Sequence, residues 1–169
     1  MTFADSSAMP LEKRSMDAPL HLWEGRVLAD WIDYNGHMSE AFYVLVFGYA
    51  TDAFMDLIGM DESYRQRTSL SLYTVEAHVR YLSEVSEGES LRVSTQILAT
   101  DSKRVHLFHH MYGPTDTSLA TEEVMLLHVD ASGPRTVSFD PKVSDHLEVA
   151  IRAHARLATP EQAGSSIGL

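Results

Sequence analysis

No cysteine occurs among the 169 residues. That excludes a disulfide framework, a thiolate metal site and a cysteine nucleophile, and the expected location is a reducing cytoplasm. Long apolar runs are also missing. The longest strongly apolar segment, Glu40 to Ile58, is interrupted by Gly48, Thr51, Asp52 and Asp56, so it is expected as a buried helix and not as a membrane span. Residues 1–20 lack the apolar stretch of a signal peptide; their Ser, Ala, Asp and Pro content predicts a mobile tail. Positive charge is scarce, with 13 Lys and Arg against 24 Asp and Glu and a net charge of −11. Such a field repels polyanions and argues against nucleic acid as a partner. No glycine-rich loop heads a strand–helix unit, so no dinucleotide or other cofactor is expected. Nine histidines are present. His106 and His110 would share a strand face, but no His-Glu-x-x-His helix or carboxylate cluster completes a ligand set, and no metal is expected.

What is present is the composition of one globular domain, 44% hydrophobic and 22% charged. Leu22 to Ile32 reads as a first strand, followed by the turn-rich Asp33-Tyr34-Asn35-Gly36-His37-Met38. Ser39 is placed to cap a helix whose positive end suits Glu40, and Gly59 is placed to end it. The helix therefore spans Ser39 to Ile58, with a thin polar stripe of Gly48, Asp52 and Asp56, and needs cover nearly all round. Beyond Gly59 the period becomes two. Tyr73, Val75, Ala77, Val79 and Tyr81 alternate with Thr74, Glu76, His78 and Arg80, which sets Glu76 opposite the apolar face and Tyr73 on that face. Leu91 to Ala99 and Arg104 to Tyr112 form a hairpin about Asp101-Ser102, and Leu119 to Val129 is apolar enough to be an interior strand. Asp140-Pro141 begins a short amphipathic helix carrying Val143, Leu147, Ala150, Ile151 and His154. The domain is expected over 21–157, with a tail over 158–169. The order of elements predicts an α+β fold, an antiparallel sheet wrapped around one long helix.

A literal G-x-S-x-G at Gly164 to Gly168 is no nucleophile elbow, because no strand precedes it and no helix follows. The chemistry-bearing segment is Asp33 to Met38, at the mouth of the long helix, where free N–H groups and a positive dipole suit an oxyanion. The same residues also suit a plain Asx-type turn, and a lone Glu76 on a polar strand face suits plain solvation.

Asp33 to Val44, followed by Thr74-Val75-Glu76, resembles the hotdog-fold thioesterases. The D-x-N-x-H before the helix and the T-x-E on the next strand are similar to those of plant-type acyl-carrier-protein thioesterases. Over Tyr49 to Phe54, Tyr73 to Glu76, Arg104 to His109 and Leu126 to Asp130 the chain resembles the betainyl-CoA thioesterases of bacterial carnitine breakdown. The resemblance implies a hotdog fold and hydrolysis of a small acyl-CoA, betainyl-CoA to glycine betaine and CoA. It carries Asp33, Asn35, His37 and Glu76 over as catalytic residues. Asp33 and Glu76 are the candidates to activate water or attack directly. Asn35 and His37 would orient water and thioester, and amides near Gly36 to Ser39 would hold the oxyanion. A trimethylammonium acyl group calls for aromatic faces, with Trp31, Tyr34, Tyr43 and Tyr73 as candidates and Gly36 and Met38 as further substrate contacts. The alternatives are a hotdog acyl-CoA hydratase or dehydratase, which usually shows D-x-N-x-x-H, and a non-catalytic acyl-CoA-binding regulator. The unpaired edges of a curved sheet predict a homodimer or homotetramer.

Overall fold

The computed structural model describes residues 18–167. All but the last three positions of the expected tail over 1–20 lie outside these residues, and Leu20 already opens the first strand. That strand, β1 (Leu20–Arg26), stops short of the expected Ile32. The chain leaves the sheet there because Ala29–Trp31 winds into one 3₁₀ turn that buries the Trp31 ring. Helix α1 (Glu40–Leu57) matches its expected span. Its stop is the expected one, with Gly59 at φ +88°, a conformation that costs a side chain about 1–2 kcal/mol. A short helix α2 (Glu62–Thr68), absent from the periodicity, follows because the Asp61 carboxylate accepts the Tyr64 N–H at 2.7 Å.

The sheet comprises β1, β2 (Leu70–Tyr81), β3 (Ser90–Thr100), β4 (Arg104–Tyr112), β5 (Ser118–Asp130) and the short β6 (Arg135–Thr136). Its order is β1-β3-β4-β5-β2, every pair antiparallel, with β6 on the end of β5. β5 is interior, as its apolar run predicts, and β2 is an edge. Helix α3 (Pro141–His154) starts where expected, the Asp140 carboxylate accepting the Val143 N–H, and buries Val143, Leu147, Ala150 and His154. Curled around α1, the sheet forms a hotdog fold. Among the described residues no single helix is long and apolar enough to cross a membrane.

The described part of the expected C-terminal tail lies on the outer face of the sheet. Gln96 Nε2 donates to the Ala158 carbonyl at 3.1 Å, and the Gly164 N–H donates to the Glu123 carboxylate at 2.7 Å. His106 shares that carboxylate at 2.8 Å, while His110 bonds Tyr112 and Ser118.

The inner face carries the core, in which Phe47, Phe54, Ile97, Leu107 and Leu126 have lost their contact with water. A polar band crosses it. His109 stacks on Phe47 and bonds Thr51 of α1 at 3.1 Å and Thr95 of β3 at 2.9 Å. Burial pushes the imidazole down to about 3, so it is neutral at pH 7. Glu122, the cross-strand partner of His109, is only 5% exposed and has no hydrogen-bond partner among the described residues. Burial pushes its carboxyl up from 4.5 to about 7.

Between those two values the folded chain keeps a proton that the unfolded chain releases, so stability falls as pH rises through that window. The loss is about 3 kcal/mol once the pH exceeds 7. Glu122→Gln is expected to flatten the dependence of Tm on pH between 5 and 8 and to raise Tm at pH 8 by several degrees. Thermal unfolding across that range checks it, and an unchanged slope assigns the titration to another group.

Candidate active site

The turn before α1 is held from both sides. Asp33 N–H donates to the His37 carbonyl at 3.0 Å, and Ser39 N–H donates to the Trp31 carbonyl at 2.9 Å, closing a loop about the Ile32–Met38 bridge. Within it Gly36 N–H returns to the Asp33 carbonyl, and Gly36 stands at φ +83° with open space where a Cβ would be. A side chain there would be strained by its backbone and not by a neighbour. Asp33 Oδ1 accepts the Asn35 N–H at 2.7 Å, an Asx turn, and the Asn35 amide lies 3.5 Å from Oδ2. Asp33 and Asn35 therefore shape the loop, and Asp33 is half-buried.

Ser39 occupies the N-cap position but makes no side-chain cap bond, contrary to expectation. The expected oxyanion amides differ in part. Those of Gly36, Met38 and Ser39 are bonded to Asp33, Val85 and Trp31. The N–H groups at this end of α1 without a partner among the described residues are that of His37, in the loop, and those of Glu40 and Ala41, in the first turn of the helix. Two adjacent free amides at the positive end of an 18-residue helix form a donor pair for an oxyanion.

Met38 N–H donates to the Val85 carbonyl at 3.0 Å, stitching the loop to the segment that follows β2. Glu84 thereby comes to 3.3 Å from His37 Nε2. Between this segment and α1 lies a cavity of about 300 Å³ lined by Met38, Glu40, Tyr43, Tyr81, Ser83 and Glu84. Tyr43 and Tyr81 meet edge to face at 5.4 Å, and Tyr43 donates to the Ser83 carbonyl at 3.2 Å. Burial, then the Glu84 charge, pushes the Tyr43 phenol up. Burial, then Glu40 and Glu122, does the same to Tyr81. Glu40, Tyr81 and Glu84 were not singled out by sequence. Tyr81 offered only its place in the β2 alternation, and Glu84 sits in a polar segment without periodicity.

The other expected contacts divide. Trp31 is 8% exposed and its ring is stacked on Phe42 at 5.5 Å, so it belongs to the core. Tyr34 is 97% exposed at the loop tip. The expected opposition of Tyr73 and Glu76 is overturned by a bulge between Thr74 and Glu76. Tyr73 pairs with Leu127 and Glu76 with Met125, residues two apart on β5, so both side chains share the outer face. Glu76 lies five residues before Tyr81 on β2, about 16 Å along the strand, and on the opposite face. Within one chain it does not converge with Asp33 and His37.

Residues 27–147 match the model of the thioesterase-like superfamily. A betainyl-CoA thioesterase of Pseudomonas aeruginosa is 46% identical over 155 residues, which cover 91% of this chain and 98% of that protein. An Agrobacterium fabrum L-carnitine dehydrogenase/betainyl-CoA thioesterase is 44% identical over 92% of this chain, a region that covers 32% of the longer protein. Among solved structures, a Staphylococcus aureus protein in complex with CoA superposes with a TM-score of 0.83 at 28% identity, covering 89% of this chain and 96% of that one. The hotdog architecture, the D-x-N-x-H loop at the free amides of α1 and the match over most of the chain agree, and the chain belongs to the thioesterase-like superfamily.

Proposed function

We propose that this chain hydrolyses betainyl-CoA to glycine betaine and CoA, as a cytoplasmic homo-oligomer that needs no cofactor. The observation that carries the reading is the pair of free Glu40 and Ala41 amides at the N-terminus of α1, where Met38 and Glu40 line a cavity of about 300 Å³, in a chain 46% identical to a betainyl-CoA thioesterase. A cavity of about 300 Å³ stands at the lower end of small-molecule pockets and suits a short acyl group over a long acyl chain.

In this reading the thioester carbonyl oxygen lies on the Glu40 and Ala41 amides. A carboxylate takes the proton of a water whose oxygen bonds to the carbonyl carbon, while Asn35 and His37 orient the water and the thioester; the C–S bond then breaks, and the departing thiolate of CoA takes that proton from the carboxyl group. Direct carboxylate attack would reach the same products through an anhydride. Asp33 is one carboxylate and Glu76 the second. Because Glu76 lies far along β2 and on the outer face, its part in the reaction requires the partner's Glu76.

Edge strand β2 supports such a partner. Both faces of its middle, Tyr73 to Ala77, are exposed, and Val75 is 55% exposed on an unpaired edge. On α1 the residues Ala41, Val44, Leu45 and Gly48 are likewise exposed, although the helix is apolar enough to need cover. An antiparallel β2–β2 contact about a two-fold axis satisfies the edge in both copies.

Purified protein is expected to release thiol from betainyl-CoA in preference to medium-chain acyl-CoAs. Asp33→Asn and Glu76→Gln should each lower turnover by about 10²-fold or more with little change in Tm. Full activity in Asp33→Asn reduces that residue to its Asx turn. In sedimentation at micromolar concentration the chain should run as a dimer or larger, and a monomer would remove the second carboxylate from the site.

A further inference from the structure

We infer that Tyr43 and Tyr81, with the carboxylates of Glu40 and Glu84, form the subsite that holds the quaternary ammonium of the acyl group and sets its selection over neutral acyl-CoAs. The inference rests on the betainyl-CoA reading and names the residues that read the cation.

In a betainyl thioester the quaternary nitrogen is two bonds from the carbonyl carbon, about 2.5 Å with bonds of about 1.5 Å. A cation site must therefore adjoin the oxyanion donors and cannot lie at the far end of a tunnel. Only groups lining the cavity at the α1 N-terminus meet that condition. Trp31 is turned into the core on Phe42, Tyr34 stands in solvent at the loop tip, and Tyr73 is on the outer face of the sheet. Tyr43 leaves the first turn of α1 and Tyr81 ends β2, and their edge-to-face contact at 5.4 Å turns differently oriented ring surfaces toward one small volume. That geometry suits a roughly spherical trimethylammonium, which is attracted by ring faces and forms no directed hydrogen bond.

The α1 N-terminus presents a difficulty, because the partial positive charge that favours an oxyanion repels a cation held beside it. The carboxylates answer it. Glu40 and Glu84 line the same cavity. Burial first, and then the charges of Glu84 on Tyr43 and of Glu40 on Tyr81, push the phenols up, and the same two carboxylates attract a cation into the cavity. Glu84 also approaches His37, so one side chain joins the cation site to the catalytic loop.

The test compares kcat/KM for betainyl-CoA and for 3,3-dimethylbutyryl-CoA, which has the same shape without the charge. Each ring face is worth roughly 2- to 30-fold in selecting the cation. Tyr81→Leu and Glu84→Gln should each cut the betainyl preference several-fold or more, whereas Tyr81→Phe, which keeps the ring, should retain most of it. Tetramethylammonium chloride should bind the unaltered enzyme, read by calorimetry, and bind Tyr81→Leu more weakly. A wild-type preference that survives in Tyr81→Leu and Glu84→Gln overturns the subsite while leaving betainyl-CoA as substrate. A wild type without preference overturns the substrate reading, and the tetramethylammonium measurement then decides the subsite by itself. Equal affinity of wild type and Tyr81→Leu for that ion, or no binding by either, counts against it.

Discussion

Phe47 and Phe54 have no exposed surface once α1 lies in the curve of the sheet. Burying each such ring contributes about 1.5–3 kcal/mol, and the positions of the loop before α1 and of the cavity both follow from this contact. Because α1 is held along its length by the inner face, its first turn is presented at one end of the sheet with its amides free. The loop from Asp33 to Met38 is then tied to the helix by Ser39 and to the end of β2 by Met38, so the cavity between them has walls on two elements distant in sequence. The geometry of the site is thus a consequence of packing, and the loop's own bonds add only its local shape.

The electrostatics follow a related logic. A net charge of −11 would seem a poor match for a phosphate-bearing ligand such as CoA, but at a screening length of about 8 Å each surface acts locally. The cavity itself is lined by the carboxylates of Glu40 and Glu84. The inner face tolerates a neutral His109 because Thr51 and Thr95 satisfy both ring nitrogens. It tolerates Glu122 only by holding its proton near neutrality, which is a cost in stability located beside the cavity. Such placement is common where function and packing compete.

Edge strand β2 shows how one residue alters a reading of faces. Strict alternation placed Tyr73 and Glu76 on opposite sides, and the pairing of β2 with β5 absorbs Val75 as a bulge, after which the faces exchange. Both residues thereby project to the outer side of an exposed edge. That is a position at which a second copy, and not the chain's own α1, would complete a site.

The sequence by itself determined the elements whose signals are local. The span of α1 was legible from its apolar residues and Gly59, that of α3 from Asp140-Pro141, and the β3–β4 hairpin from alternation about Asp101, because caps, turns and periods act within a few residues. The turn from Asp33 to Met38 was legible for the same reason. Only the tertiary structure decided that Trp31 is core, that Tyr81 and Glu84 join Tyr43 at one cavity, that the amides of Glu40 and Ala41 are left free, and that burial pushes the Glu122 carboxyl up to about 7. Each of these depends on which strand lies beside which, in what register and at what depth from water. Those relations arise between residues tens of positions apart, and no local pattern encodes them.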